Sequence, residues 1–394
     1  MKILILSFYF PPDLSAGSFR AKALVDALRE VMPNDLAIDV ITTMPNRYHS
    51  LLEDAPREET DGAVTIRRIS LPGHKSGMAD QARSFAAYAR QVRRLTADAR
   101  WDAVVATSSR LMTAALGMHV ARRAGAPLYL DIRDLFTDTM QDVLATSPLR
   151  VLLPGFRLLE RQTLRRARRV NLVSAGFLPH VKAIAPQHDY RVFTNGIDDE
   201  FLNRNNWTAD KKSGARPLVL YAGNIGEGQG LHRILPQAAR LVGDRARFRV
   251  IGDGGRRRQL EEALAAAGVD NVELRAPVPR AILMQHYEEA DILFLHLNDH
   301  RAFHKVLPSK LFEYASTGKK LLAGIGGYAA DFASTEIPDA EVFTPCDAAG
   351  MSAALERLIR ADPPTDRQAF REKYARRAIM RQMAEDILDM ARKG

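Results

Sequence analysis

The chain has 394 residues, more than one hydrophobic core ordinarily serves, so two domains are expected. Its 46% hydrophobic and 26% charged content excludes a disordered or fibrous chain, and a single cysteine, Cys346, excludes an intrachain disulfide and points to a reducing compartment. The net charge of +9 divides as +5 over residues 1–200 and +4 over 201–394, which is no basic tail for nucleic acid but is compatible with acidic lipid surfaces or phosphorylated substrates.

The run Met1-Lys2-Ile3-Leu4-Ile5-Leu6-Ser7-Phe8 reads as a buried first strand over Lys2–Phe8. It has one basic residue and meets Pro11-Pro12 without a small-residue cleavage site, so it is not read as a signal peptide. A helix is predicted over Ser18–Arg29, with Ala21, Leu24, Val25 and Leu28 on one face. Further strands are predicted at Ala37–Thr42, Ala103–Thr107, Pro127–Ile132 and Val170–Val173. Between the last two, Arg157, Arg161, Arg165 and Arg168 form one basic helical stripe, either a solvated face or a contact for anionic lipid or a lipid diphosphate.

Asn203–Ala215 is polar and aperiodic, a linker composition. A second strand set follows at Leu218–Ala222, Arg247–Ile251, Val272–Arg275, Ile292–Leu297 and Lys320–Gly324, with helices at Arg256–Ala267 and Ser309–Thr317 among them. Asp366–Lys393 reads as one long helix. Strands alternating with helices predict two doubly wound α/β units. The first is expected at residues 1–202 together with about 370–394, the second at 203–369. Ligands of such sheets bind outside the carboxyl ends of the strands, so a cleft is expected where two such ends meet. No apolar run approaches the ~18 residues a membrane-spanning helix needs, and a cytoplasmic protein, at most peripheral at the inner membrane face, is expected.

The loops after the strands carry the candidate chemistry. Tyr9–Arg20 leaves the first strand and ends in small residues at a helix N-terminus, where amides and the helix dipole suit a phosphate or sugar hydroxyl. The plainer alternative is a βα turn capped by Ser15 or Ser18. Asp131-Ile132-Arg133-Asp134 puts three charges at a buried strand end, to be paired internally or turned to a cleft. Ser15, Ser18, Asp131 and Asp134 are the ligand-binding candidates of this unit. In the second unit, Leu220–Leu231 holds four glycines in eight residues, a cradle for phosphate, and Ile251-Gly252-Asp253-Gly254-Gly255 repeats the pattern. Gly223, Asn224, Gln229 and Gly252 are therefore phosphate-binding candidates.

The sharpest run is Leu307-Pro308-Ser309-Lys310-Leu311-Phe312-Glu313-Tyr314. Pro308 or Ser309 is expected to cap a helix. Lys310 and the amides at Ser309 and Leu311 would meet a diphosphate, and Glu313 would take two ribose hydroxyls. His296, His300 and His304 recur every four residues, but they start in a strand and pass through Asn298-Asp299 into a loop, so no metal is expected there.

These motifs, in this order, resemble the family-4 retaining glycosyltransferases, and within them the branch that works on O-antigen and capsule sugars. Tyr221-Ala222-Gly223-Asn224-Ile225-Gly226 with Gln229-Gly230-Leu231, and Pro308-Ser309-Lys310-Leu311-Phe312-Glu313-Tyr314, carry the likeness, supported by Asn195-Gly196-Ile197-Asp198. The resemblance implies a GT-B fold: two Rossmann-like domains facing a cleft, donor bound by the C-terminal one, acceptor by the N-terminal one, and a final helix crossing back to the latter. It implies a nucleotide diphosphate sugar as donor, with UDP favoured, and a glycan or undecaprenyl-diphosphate-linked acceptor, with no cofactor and no metal. Glu313 would hold the ribose, Gly17 would lie near the diphosphate, and Val278 in Pro277-Val278-Pro279 beside the base. Arg133 falls where many relatives carry a His near the transferred sugar. Two departures stand out. Lys305 occupies a position commonly acidic, and Asn224 and Gln229 occupy places where relatives often have an Arg and a Lys. Lys310, with Lys305 and Arg133, is therefore expected to supply the positive charge at the departing phosphate. A nucleotide-sugar epimerase and a non-catalytic nucleotide-sugar-binding partner are the competing expectations.

Overall fold

The apolar runs bounded by turn residues become two sheets, each followed here in a computed structural model. It describes every residue except 14, 46–54, 73–77, 109–110, 145–146, 205–206, 208–215, 338, 363–365 and 394, and leaves out the side chains of 78–79 and 142–143. The described chain divides into two units, Met1–Asn195 with Arg376–Gly394, and Gly196–Ala375.

The first unit contains β1 (Lys2–Leu6), α1 (Ala16–Val31), β2 (Ala37–Thr43), β3 (Glu58–Asp61), β4 (Val64–Ile69), α2 (Met78–Leu95), β5 (Ala103–Ser108), α3 (Leu111–Ala124), β6 (Leu128–Ile132), α4 (Phe136–Val143), α5 (Leu153–Arg166), β7 (Arg169–Leu172), α6 (Leu178–Ile184) and β8 (Tyr190–Arg191). Its sheet runs β3-β4-β2-β1-β5-β6-β7-β8, parallel except for the β3–β4 pair. β1, β5 and β6 are buried along nearly their whole length, as central parallel strands covered on both faces require. The sequence reading omits β3 and β4. Glu58–Asp61 is polar and exposed throughout, so no burial pattern marks it as a strand. Its edge position rests on pairing with β4 instead.

The second unit contains α7 (Asp199–Leu202), β9 (Leu218–Ala222), α8 (Leu231–Val242), β10 (Arg247–Ile251), α9 (Arg257–Ala267), β11 (Val272–Arg275), α10 (Arg280–Glu289), β12 (Ile292–His296), α11 (Ser309–Ser316), β13 (Lys320–Gly324), α12 (Tyr328–Glu336), β14 (Ala340–Phe343), α13 (Ala348–Arg360) and α14 (Gln368–Lys373). All six strands are parallel, in the order β11-β10-β9-β12-β13-β14. Val219, Tyr221, Phe248 and Phe294 pack with Leu231, Leu235 and Leu355 of α8 and α13 in one core. Of the expected linker Asn203–Ala215, only Asn203, Arg204 and Trp207 lie among the described residues. Trp207 is buried and stacks on Phe201 at 5.6 Å, so this part of the segment is packed.

The expected single helix over Asp366–Lys393 is two, α14 and α15 (Arg376–Arg392). At the break, Ile197 donates its N–H to the Tyr374 carbonyl at 2.8 Å and bridges Ala375. α15 belongs to the first unit, packing on α1, and Arg169 of β7 donates to its Asp386 at 2.8 Å. The basic stripe is shortened too, because α5 ends at Arg166 and Arg168 lies beyond it, its N–H on the Leu128 carbonyl.

Candidate functional site

In the first unit, the loop after β1 enters α1 through Ser15. Its hydroxyl accepts the Ser18 N–H at 3.2 Å, so Ser15 is the cap. Gly17 follows. A Cβ there would lie 2.1 Å from a terminal nitrogen of Arg133, so the absent side chain is what lets the guanidinium close over the start of α1. The structure thus brings together Gly17, expected near the diphosphate, and Arg133, expected near the transferred sugar. Asp134, next to Arg133, accepts from Thr139 at 3.4 Å, and burial raises its pKa against the pull of the Leu135 N–H.

Ser18 and Asp131, expected at an acceptor, are withdrawn from that role. Ser18 is fully buried. Asp131 is 1% exposed, and both its oxygens are taken by Arg20, at 2.8 and 2.9 Å, with Asn171 donating at 2.7 Å. Burial works to raise the Asp131 pKa, but Arg20 and Asn171 overrule it and hold the carboxyl below its ordinary value. Arg20 also donates to the carbonyls of Thr194 and Phe193, at 2.6 and 2.9 Å, and lies 3.4 Å from Met383 Sδ of α15. This is the internal pair that the sequence left as an alternative, tying α1, β6 and α15 together.

In the second unit the two glycine loops are joined at the carboxyl ends of β9 and β10. Gly223 N–H donates to Ile251 O at 2.9 Å, and Ile225 N–H to Asp253 O at 2.8 Å. Gly252, at φ 156°, could not carry a Cβ, which would fall 1.8 Å from the Gly223 carbonyl. Asn224 and Gln229, standing where an Arg and a Lys were expected in relatives, bond each other, amide to amide, at 2.7 Å. The loop is further held by two side chains that the sequence reading set aside or missed. His296 at the end of β12 is bonded through Nδ1 to the Gln229 carbonyl at 2.6 Å, and Asn298 donates to the Glu227 carbonyl at 2.9 Å. The Cys346 N–H donates to His296 Nε2 at 3.0 Å, which makes Nδ1 the protonated nitrogen. Both imidazole nitrogens are thereby used in hydrogen bonds within the fold.

Burial, against the Gln229 bond, lowers the His296 pKa to about 4. Its folded value lies below the ~6.5 of the unfolded chain. Its contribution to stability is therefore present above about pH 6.5 and is lost as the pH falls towards 4, with a slope approaching ~1.4 kcal/mol per pH unit. Chemical denaturation of the wild type and His296→Gln across that range should show the slope only in the wild type. Parallel pH curves would remove His296 as its source.

α11 starts at Ser309 after Pro308, with no side-chain cap, and the Leu311 N–H donates to the Pro308 carbonyl at 3.1 Å. Ser309 is half-buried and Leu311 fully buried, so only backbone atoms of Leu311 are candidates for a ligand. Lys310 and Glu313 meet each other at 3.0 Å, with side-chain exposures of 29% and 11%. The ammonium also donates to the Tyr287 hydroxyl at 2.9 Å and lies 5.7 and 5.6 Å from the rings of Tyr287 and Tyr314. Burial works to lower the Lys310 pKa, but Glu313 and the two tyrosines outweigh it and keep it well above its ordinary value. The Tyr314 hydroxyl accepts the Ala222 N–H and donates to the Ala222 carbonyl, both at 3.2 Å, which sets α11 against the strand end that opens the glycine loop. Arg280, at the start of α10, pairs with Asp198 at 3.2 Å and with Glu200. Asp198 of the Asn-Gly-Ile-Asp run thus has a partner that the turn reading did not supply. Val278 is half-buried two residues before Arg280, and Lys305 ends the short 3-10 turn Phe303–Lys305 ahead of α11.

Residues 22–196 match the model of a glycosyl transferase 4-like domain, and 203–378 that of glycosyl transferases group 1. WcaI of Escherichia coli (strain K12), described as a colanic acid biosynthesis glycosyl transferase, is 30% identical over 109 residues, 26% of this chain and 25% of WcaI. The aligned stretch thus spans about a quarter of that relative. Among solved structures, sucrose-phosphate synthase from Thermosynechococcus elongatus superposes with a TM-score of 0.75 at 14% identity, covering 100% of both chains. The lipopolysaccharide outer core galactosyltransferase WaaB gives 0.65 at 12%, covering 98% of this chain and 99% of that one. Anabaena HepE in complex with UDP and glucose gives 0.69 at 15%, covering 99% and 100%. At these identities the structural likeness is one of fold.

Proposed function

From a chain that belongs to the GT-B glycosyltransferases, we propose a retaining, metal-independent enzyme that moves a sugar from a nucleotide diphosphate donor, UDP-linked, to a lipid-linked or oligosaccharide acceptor in surface-polysaccharide assembly. The observation that carries this reading is the Lys310–Glu313–Tyr287 cluster in the first turns of α11, held by Tyr314 to the end of β9. A diphosphate oxygen reaching this ammonium replaces Glu313 as its anionic partner, and the released carboxylate is then available to the ribose hydroxyls. As the anomeric bond breaks, negative charge grows on the leaving phosphate. The charged Lys310 and the amide at Ser309 stabilise it, the Leu311 N–H being already given to the Pro308 carbonyl. In a front-face route the departing phosphate takes the acceptor proton, so no protein nucleophile is assigned. Gly223, Asn224, Gln229 and Gly252 shape the donor loop, and Val278 is assigned to the base. Lys305 is a further cation assigned to the phosphate.

In the first unit, Gly17 is assigned to the diphosphate, Arg133 to the transferred sugar, and Ser15 and Asp134 to the acceptor. UDP is favoured because HepE, of the same fold, is a complex with UDP, and the polysaccharide setting because WcaI and WaaB are described in such terms. Among the described residues no helix is long and apolar enough to cross a membrane. We place the enzyme in the cytoplasm, peripheral at the inner membrane face where a lipid-linked acceptor is carried.

A thermal-shift panel of UDP, GDP, ADP and UDP-sugars tests the donor. At 100-fold excess over Kd, binding adds ~2.7 kcal/mol, a rise of roughly 5–10 °C in the midpoint of a domain of this size. UDP and one UDP-sugar are expected to give it. A panel that moves no midpoint would count decisively against the reading, and a donor converted to its isomer without any acceptor would make the protein an epimerase.

A further inference from the structure

Asn298, two residues beyond the end of β12, is fully buried against the glycine loop of the second unit. Its backbone N–H donates to the Gly228 carbonyl at 2.9 Å, and its side-chain amide to the Glu227 carbonyl, also at 2.9 Å. The opposite end of that amide is occupied. Oδ1 accepts from Arg233 of α8 and from the Asp299 N–H, each at 3.0 Å, and from Cys346 Sγ at 3.2 Å. Three donors on the oxygen fix which way the group lies, so its nitrogen faces the loop. That nitrogen also has the Glu227 carboxylate and His300 Nε2 at 3.2 Å.

Two successive carbonyls of the loop, those of Glu227 and Gly228, are therefore drawn to one residue. A peptide group is planar and trans, so its N–H points opposite to its C=O. With the Glu227 carbonyl on Asn298, the Gly228 N–H is turned away from Asn298. Among the described residues this N–H has no hydrogen-bond partner, whereas the next one, of Gln229, is spent on the Gly226 carbonyl at 3.3 Å. The Ile225 carbonyl, three residues back and a natural turn acceptor for it, is taken by the Arg256 N–H at 2.9 Å. Gly228 is half-buried, which makes an unspent amide there costly until an acceptor reaches it.

We propose that Asn298 is a positioning residue for the donor: by holding the peptide between Glu227 and Gly228 it aims the Gly228 N–H at a phosphate oxygen of the nucleotide. Asn298 touches no ligand itself. Its role rests on the protein being a transferase that binds a nucleotide diphosphate in the second unit. A hydrogen bond to a charged oxygen is about twice as strong as one between neutral groups, so a peptide freed to rotate would forfeit a sizeable share of phosphate affinity. Base and ribose are assigned to Val278 and Glu313, on other elements, and do not depend on this peptide.

The test compares the full chain with its variants Asn298→Asp and Asn298→Ala, titrating each with UDP by calorimetry and with uridine by competition. Both variants lack the N–H that the Glu227 carbonyl accepts, and they differ in charge. Each is expected to bind UDP about 10–100-fold more weakly, the loss of one hydrogen bond to a charged group, with the affinity for uridine unchanged. In the wild type, hydrogen exchange at the Gly228 amide should slow when UDP is bound, a reading that needs neither variant to fold. A wild type that binds no nucleotide would sink the donor reading and the role of Asn298 with it. UDP bound equally by all three proteins leaves the donor reading standing and overturns the proposal. A parallel loss of UDP and uridine overturns it as well, making Asn298 a structural residue only, and so does an exchange rate at Gly228 that UDP leaves unaltered.

Discussion

Lys310→Ala is expected to lower the rate of sugar transfer at saturating donor by about 10²–10³-fold, the loss measured when one donor to a developing oxyanion is removed. The ammonium's effect comes from its setting. The Tyr287 hydroxyl accepts an N–H of it at 2.9 Å, Glu313 lies at 3.0 Å, and it stands over two aromatic faces, so the charge is already oriented before a phosphate arrives. Lys310→Met keeps much of that packing while removing the charge, and an equal loss in the two variants would separate the charge from the packing. Tyr287→Phe removes only the orienting hydroxyl and should cost a further, smaller factor of about 2–13. Glu313→Ala should weaken UDP binding, read by calorimetry. Because the Lys310 pKa is held well above its usual value, activity should not fall with loss of this charge as the pH is raised towards ~9. Unchanged turnover in Lys310→Ala would take the ammonium out of the chemistry.

The largest stability effect is expected at Arg20. Arg20→Ala leaves a fully buried Asp131 without its cation and the Thr194 and Phe193 carbonyls without their donor, and should destabilise the first unit by about 3–5 kcal/mol. The pH dependence supplies a signature. In the wild type the Asp131 pKa is lowered, so its contribution is present above the unfolded value of ~3.9 and is lost as the pH falls through the lower folded value. In the variant, burial is opposed only by the Asn171 bond and the charge of Arg133, so the Asp131 pKa rises, acidification neutralises the stranded carboxylate and the gap between the two proteins narrows. Urea unfolding at neutral pH and near pH 5 reads both effects. A gap that stays constant with pH would assign the loss to packing against Met383 and α15.

These cases also show what is legible in a sequence. Four of the six strands of the second unit were predicted to the residue, because Leu218–Ala222 and its parallels are short apolar runs, buried where they are central, between turn-forming residues. The break between α14 and α15 had no such marker. Arg371–Met380 contains neither Gly nor Pro, and the interruption comes from Ile197, far away in the chain, pairing at Tyr374 and Ala375. The same division runs through the candidate site. Lys310 and Glu313 follow from spacing on one helix, whereas Tyr287 is 23 positions away on another. The charges at Asp131 demanded a partner or an opening. The partner was Arg20, 111 residues upstream, a separation at which no local pattern signals contact.

The amide pair of Asn224 and Gln229 has a consequence for solution conditions. Fixed dipoles gather no counterion cloud of their own, so raising the ionic strength takes little from them, while it screens attraction between full charges. A phosphate seated on this loop would meet peptide groups there rather than full charges, and its affinity would change less between dilute buffer and concentrated salt than in a relative that presents two mobile cations at the same places.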